Sequence, residues 1–413
     1  MTEPRRVAVV GCSLAGLRAC ETLRREGYAG ELIVVDAEER PFYDRPPLSK
    51  QWLAGTWDTP RIALRPPEAL AALELRRVTG HRVEQLELAA RQLVLDDGTR
   101  LGFDGLVLAC GASARTLELA QPGDAVLVLR TLDDARRLRV ALAGERDDAQ
   151  ALPAEGRHLV VVGGGFLGLE VAATARGLGA EVTVVETLAA PLARVLGEEI
   201  GAAIAILHER HGVRLCLRSG VEALEPPNSE VGGRWRVRLS DGRVLHADAV
   251  LVAVGARPEH AWLAGSGLEL DDGVVCDEAL CAAPGVVVAG DVARVRLPDG
   301  TSSRLEHWTN AAEQGLHAAM SLIAGEHAQP FRAVSYFWSD QFETKLQSIG
   351  SPDPGGEVVV VDGSLDEGRF VACYGRDGLL VGVVGAGMPR RMMSFRPLLA
   401  TSTSFRDALA SGA

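Results

Sequence analysis

Residues 7–36 read V-A-V-V-G-C-S-L-A-G-L-R-A-C-E-T-L-R-R-E-G-Y-A-G-E-L-I-V-V-D. An apolar run, a tight glycine turn, a helix-length amphipathic segment and a second apolar run closed by an acid follow the order of a βαβ unit. Gly11 and Gly16 bracket the turn, so the pyrophosphate of a dinucleotide can rest on backbone N–H groups at the start of the helix, around Ser13, Leu14 and Ala15. Asp36 then stands where a carboxylate accepts from a ribose 2′-hydroxyl. Ser13 takes the middle position of the fingerprint, where glycine is usual. A small hydroxyl still admits a phosphate, but alone this copy also fits an ordinary buried βαβ unit.

A second copy strengthens the nucleotide reading. His158–Glu186 reads H-L-V-V-V-G-G-G-F-L-G-L-E-V-A-A-T-A-R-G-L-G-A-E-V-T-V-V-E, with Gly163, Gly165 and Gly168 in full G-x-G-x-x-G register and Glu186 closing the next strand. The repeat continues further. L-V-L-D-D-G-T-R-L-G-F-D-G-L-V-L-A-C-G-A, ending at Ala112, matches V-R-L-S-D-G-R-V-L-H-A-D-A-V-L-V-A-V-G-A, ending at Ala256. Each is a hairpin turned at Asp-Gly and followed by an apolar strand that stops at Gly-Ala. Two related nucleotide domains are expected, one for a flavin dinucleotide and one for a nicotinamide coenzyme.

The chain has 413 residues, 47% hydrophobic and 24% charged, which suits two or three globular domains. A formal charge of -12 without a basic stripe argues against nucleic acid as a partner. No apolar run reaches bilayer-spanning length and no signal peptide is visible, so neither a membrane role nor export is expected and the cytoplasm is the default. The seven cysteines are scattered through apolar runs, the usage of reduced, buried thiols. Cys276 and Cys281 form a C-x4-C pair, but they lie far from the first βαβ unit, and structural thiols are the expectation. No metal site is expected.

R-P-F-Y-D-R-P-P-L-S-K, Arg40–Lys50, carries three prolines. It reads as a stiff loop that runs into a helix near Leu48 and can present one ammonium, Lys50. A strand is expected around Val83. Thr131 and Asp134 resemble a capping box at the start of a helix. Gly201–His211 reads as a helix stopped by Gly212, and Gly-Gly at 232 and Asp-Gly at 241 read as turns of antiparallel strands. The strand G-V-V-V-A-G-D, ending at Asp291, leaves a carboxylate either to cap the next helix, roughly Thr309–Ala324, or to accept from a polyol. Beyond Pro330 the pattern changes to closely spaced hairpin strands, with a terminal helix expected from Met388. There Arg390, Arg391 and Arg396 form a basic run with no acid between them.

Six motifs in order carry a resemblance over essentially the whole chain: R-P-P-L-S-K at 45–50, L-R-T-L-D-D at 129–134, G-G-G-F-L-G-L-E-V-A at 163–172, A-G-D-V-A at 289–293, E-H-W-T-N-A at 306–311 and F-W-S-D-Q at 337–341. The chain resembles the FAD-dependent NADH:ferredoxin reductases of bacterial oxygenase and cytochrome P450 systems, the putidaredoxin-reductase-like branch of the pyridine nucleotide-disulfide oxidoreductases. The implied fold is α/β, with two Rossmann-like, glutathione-reductase-like domains and a C-terminal α+β domain. The implied division is residues 1–115 with 247–325 for FAD, 116–246 for NAD, and 326–413 as an interface domain.

The resemblance assigns FAD to Gly11, Ser13, Leu14, Ala15, Gly16, Asp36, Arg45, Lys50, Val83, Ala109, Gly111, Arg130, Gly290, Asp291 and Trp308. It assigns NADH to Gly163, Gly165, Phe166, Leu167, Gly168, Glu186, Arg194 and Gly255, and sets Trp338 by the flavin edge. Lys50 and Glu170 resemble the family's pair near flavin N5. The implied reaction is hydride transfer from NADH to FAD, then single electrons to a [2Fe–2S] ferredoxin that serves an oxygenase or cytochrome P450. A monomer or homodimer is expected. Alternatives sharing both fingerprints are an NADH oxidase, a monodehydroascorbate-type reductase and a redox switch like the apoptosis-inducing factors. Ser13 and Cys110, where threonine is common, depart from the family pattern.

Overall fold

The computed structural model describes residues 5–40, 42–119, 126–143, 154–227 and 234–411. They fall into two compact units. The first holds residues up to Asp44, Ala63–Ser113 and Ala256–Ala333. The second holds Arg45–Ile62, Ala114–Gly255 and the chain from Val334 onward.

The first unit is built on Arg6–Val10, the centre of a six-stranded sheet. It pairs in parallel with Glu31–Asp36 on one side and Gly105–Leu108 on the other. Leu75–Thr79 and Val286–Val288 extend the parallel set, and Cys281–Ala283 closes one edge antiparallel. Central strands covered on both faces read as continuous apolar runs, and Val7, Ala8, Val9, Leu32 and Val34 are fully buried. Helix Leu14–Arg25 packs on helix Trp308–Ala324. A side chain at Gly315 would meet the Ala15 carbonyl at 2.3 Å, so only glycine allows this close crossing. Val83–Glu87, Gln92–Leu95 and Arg100–Gly102 form the hairpin ribbon.

The second unit repeats the design. Arg214–Cys216, Glu181–Val185, His158–Val162, Ala249–Val252 and Val126–Leu127 make a parallel five-stranded sheet in that order. Its ribbon is Val221–Glu225, Trp235–Leu239 and Val244–Ala247; the turn expected at Gly232 lies outside the described residues. The C-terminal part is a five-stranded antiparallel sheet in the order Tyr336–Gln341, Thr344–Gly350, Leu379–Ala386, Arg369–Arg376, Glu357–Ser364. It shares a core with helix Glu198–Arg210: Leu196, Ile200 and Ile204 pack with Leu346, Phe370 and Tyr374, and the Tyr374 hydroxyl donates to the Leu196 carbonyl at 2.8 Å.

The α/β class stands as expected, and so does the capping box. The Asp134 N–H donates to Thr131 Oγ1 at 3.1 Å while the Thr131 N–H donates back to the Asp134 carboxylate at 2.9 Å. Three local readings need correction. Near Leu48 there is only the 3-10 turn Pro46–Ser49, because Lys50 leaves helical geometry at φ -126°, ψ -106°. The helix expected from Gly201 begins at Glu198, where Gly197 with φ 86° turns the chain in. The terminal helix is three short ones, Pro389–Met393, Arg396–Ala400 and Phe405–Ala410. Pro397, without an N–H, sits in the first turn of the second of these, and Ser402 at φ 50° follows its end.

Candidate functional site

The two glycine loops are built alike. Gly11 at φ 107° and Gly163 at φ 110° sit where a Cβ would come within 2.2 Å of the Ala109 carbonyl oxygen and 2.4 Å of the Ala253 carbonyl oxygen. Gly16 and Gly168 come so close to the same loops that a Cβ would overlap the Gly11 and Gly163 carbonyls at 1.9 and 2.3 Å. These four glycines are required by the protein's own packing.

Gly165 is different. Its backbone is ordinary for any residue, with φ -79°, and nothing lies within 4 Å of where its Cβ would be. The space kept open lies before the N-terminus of helix Phe166–Gly177. Neither this helix nor Leu14–Arg25 has a side-chain cap, from Gly165 or from Ser13. Backbone N–H groups facing an open cradle suit a pyrophosphate, so the loop residues fit a dinucleotide.

Each loop is closed by the acid at the end of the next strand. Asp36 accepts from the Cys12 N–H and, at 2.8 Å, from the Glu38 N–H. Glu186 accepts from the Gly164 N–H at 2.8 Å and the Leu188 N–H at 2.9 Å. Both carboxylates are thereby fixed in direction.

In the first unit Val83 and Ala109 are buried, and Gly111 turns the chain at φ 69°. The Gly290 N–H donates to Gln314 Oε1 at 2.9 Å, and Asp291 follows it, half-buried, within the 3-10 turn Gly290–Val292. Trp308 Nε1 donates to Asp44 Oδ1 at 2.7 Å. Burial pushes the Cys110 thiol up to about 12, and its sulfur donates to the Glu259 carbonyl at 3.1 Å, as a threonine hydroxyl would. All seven cysteines are free, and burial raises Cys276 to about 12 and Cys281 to about 11. Such thiols are unreactive.

In the second unit Lys50 Nζ lies 2.6 Å from Glu170 Oε2, both side chains almost fully buried. This pair, 120 residues apart in sequence, is joined as the resemblance implies. Sequence reasoning missed what surrounds it. Ser49 Oγ donates to the same carboxylate oxygen at 2.6 Å, Ser339 Oγ donates to Oε1 at 2.8 Å, and Thr174 Oγ1 donates to the Ser49 carbonyl at 2.7 Å. The two serine hydroxyls offset part of the cost of burying the charges, and Thr174 fixes the backbone that carries Ser49. One signal was available: Ser339 and Gln341 are polar residues two apart in a strand, hence on one face, and both are buried.

The remaining predicted residues are placed as follows. Arg45 donates to the Arg130 carbonyl at 2.7 Å. Phe166 packs edge-on to Phe337 at 4.5 Å, Leu167 and Arg194 are exposed, and Gly255 has φ 112°. Trp338 is half-buried and stacks on Tyr336 at 6.1 Å. The basic run near the C-terminus is not acid-free in space: Asp362 holds Arg391 at 3.0 Å.

Two nucleotide-type α/β folds, each with a glycine loop closed by a strand-end acid, followed by an antiparallel sheet, define a two-dinucleotide redox protein. The chain belongs to the pyridine nucleotide-disulphide oxidoreductase family, whose model matches residues 5–315, and residues 336–412 match the reductase C-terminal domain. It is 36% identical over 398 residues to rhodocoxin reductase of Rhodococcus erythropolis, covering 96% of this chain and 89% of the relative. It is 35% identical over 389 residues to the benzene 1,2-dioxygenase system ferredoxin–NAD(+) reductase subunit of Pseudomonas putida, covering 93% and 90%. The structure of the covalent putidaredoxin reductase–putidaredoxin complex superposes with a TM-score of 0.87 at 30% identity, covering 96% of this chain and 93% of that one.

Proposed function

We propose that this chain is an NADH-dependent ferredoxin reductase that uses FAD and serves an oxygenase or cytochrome P450. The observation that carries the nucleotide part is the open cradle at Gly165, bounded by Glu186. The acceptor is proposed from the relatives, two of which are named as reductases of oxygenase-type systems or their electron carriers and match along nearly their whole length.

FAD, when bound, supplies acceptance of a hydride and donation of single electrons. The chain's own residues bind and orient. Gly11–Gly16 and Asp36 would hold the FAD pyrophosphate and adenosine ribose, with Asp291 toward the ribityl hydroxyls. Gly163–Gly168 would hold NADH, with Glu186 on its adenosine ribose. Lys50 would supply positive charge for the electron-rich reduced ring, and Glu170 would keep that ammonium in place. With every cysteine free, no disulfide relay is part of the reading. No described helix is long and apolar enough to cross a membrane, and the free thiols support a reducing compartment, the cytoplasm.

The test is steady-state NADH oxidation by the FAD-loaded protein with a panel of [2Fe–2S] ferredoxins, read through cytochrome c reduction. Rapid turnover with a ferredoxin and slow turnover with oxygen supports the reading. Fast oxygen consumption with no ferredoxin response would make the chain an NADH oxidase instead.

A further inference from the structure

A continuous line of buried polar side chains runs from the Lys50–Glu170 pair to helix Glu198–Arg210. Ser339 Oγ donates to Glu170 Oε1 at 2.8 Å, Gln341 Nε2 donates to Ser339 Oγ at 3.1 Å, and His208 Nε2 faces Gln341 Oε1 at 3.0 Å. Ser339, Gln341 and His208 are all 1% exposed or less.

Counting hydrogens fixes the direction of every bond. Glu170, paired with the Lys50 ammonium, only accepts. Ser339 has one hydroxyl hydrogen, gives it to Glu170, and must itself accept. The Gln341 amide nitrogen therefore faces Ser339, and its oxygen faces the helix. That oxygen needs a donor, so His208 carries its hydrogen on Nε2. A separate observation agrees: His208 Nδ1 is buried with no hydrogen-bond partner. A hydrogen there would have nothing to donate to, and an imidazolium would be a charge buried without a counter-ion. Glu343, two residues beyond Gln341, is engaged by His211 at 3.1 Å, and His211 stacks on Phe342 at 3.8 Å.

We propose that Ser339, Gln341 and His208 are positioning residues, a one-directional chain of donors that holds the Glu170 carboxylate in place and through it the Lys50 ammonium. This rests on the reading that the pair serves hydride transfer. The chain orients and does not relay protons, because a carboxamide at its centre has no second ionisable site through which a proton could pass. Its donors all point at one anion, so each polarises the next and strengthens the last bond.

The test uses the FAD-loaded protein with 15N-labelled histidine. Long-range 15N–1H spectra should show His208, identified by its loss in His208→Gln, as the Nε2–H tautomer; in Gln341→Leu the signal should move toward a mixture of tautomers. An Nδ1–H form in the wild type would overturn the proposal. In stopped flow at saturating NADH, Ser339→Ala should slow flavin reduction roughly tenfold, the size expected for one lost bond to a charged group, and Ser339→Thr should restore it. In a Glu170→Gln background Ser339→Ala should add nothing; the same loss in both backgrounds would mean a merely structural role and overturn the proposal. A wild-type rate in Ser339→Ala beside a slow Glu170→Gln would also overturn it. A wild-type rate in Glu170→Gln alone would strike down the reading of the pair itself, and with it the catalytic purpose of the chain.

Discussion

Glu186 holds the Gly164 N–H at 2.8 Å, and its second oxygen holds the Leu188 N–H at 2.9 Å. A carboxylate tied by two backbone donors cannot swing away from an incoming phosphate, and like charges brought together cost several kcal/mol. The protein should therefore use NADH at least about tenfold more efficiently than NADPH, and Glu186→Gln should narrow the gap. Comparing kcat/KM for the two coenzymes measures this, and equal efficiency would contradict it.

Gly165 and Gly168 separate binding from folding. A Cβ at Gly165 meets nothing, while one at Gly168 strikes the Gly163 carbonyl at 2.3 Å. Gly165→Ala should keep its melting temperature and raise the KM for NADH. Gly168→Ala should lose roughly 1–3 kcal/mol of stability from overpacking. Denaturant midpoints beside NADH titrations check both, and a stable Gly168→Ala would refute the packing argument.

Cys276 and Cys281 should be dispensable for electron transfer. Their thiols are raised to about 12 and about 11, so almost no thiolate exists near neutrality. The double serine variant should reoxidise its flavin with ferredoxin at the wild-type rate. A large loss with folding intact would show that a thiol takes part.

His208 should make the protein acid-sensitive. Burial pulls its pKa from the usual range down to about 4. As pH falls through about 6.5 the unfolded chain takes up a proton that the folded one refuses, so stability is full above that pH and declines until about pH 4, by about 3 kcal/mol at most. His158, also lowered by burial, acts in the same direction. Urea midpoints across this range should fall less steeply in His208→Gln, and an unchanged slope would count against it.

What the sequence made legible was local. The glycine loops, the Asp-Gly hairpins and the Thr131–Asp134 box each lie within a few residues, where spacing alone sets geometry. Lys50 and Glu170 came only through the resemblance, since no periodicity links residues 120 apart. Ser339, Gln341 and His208 escaped because the ends of their chain lie on other elements: Ser339 reaches Glu170, 169 residues away, and 133 residues separate His208 from Gln341. The terminal helix was misjudged because helical composition continues through Ser402, where the backbone turns left-handed at φ 50°.

Tyr374, from the C-terminal sheet, gives its hydroxyl to a carbonyl beside helix Glu198–Arg210 inside a common apolar core. The sheet is consequently no cassette. Exchanging residues from Val334 onward for those of a relative would leave Leu196, Ile200 and Ile204 facing foreign side chains, so a working chimera must carry that helix together with the sheet. Selection for a new redox partner would then find its freedom in the hairpin turns and the short terminal helices, while the strands beneath them change only in step with the coenzyme-binding half of the same unit.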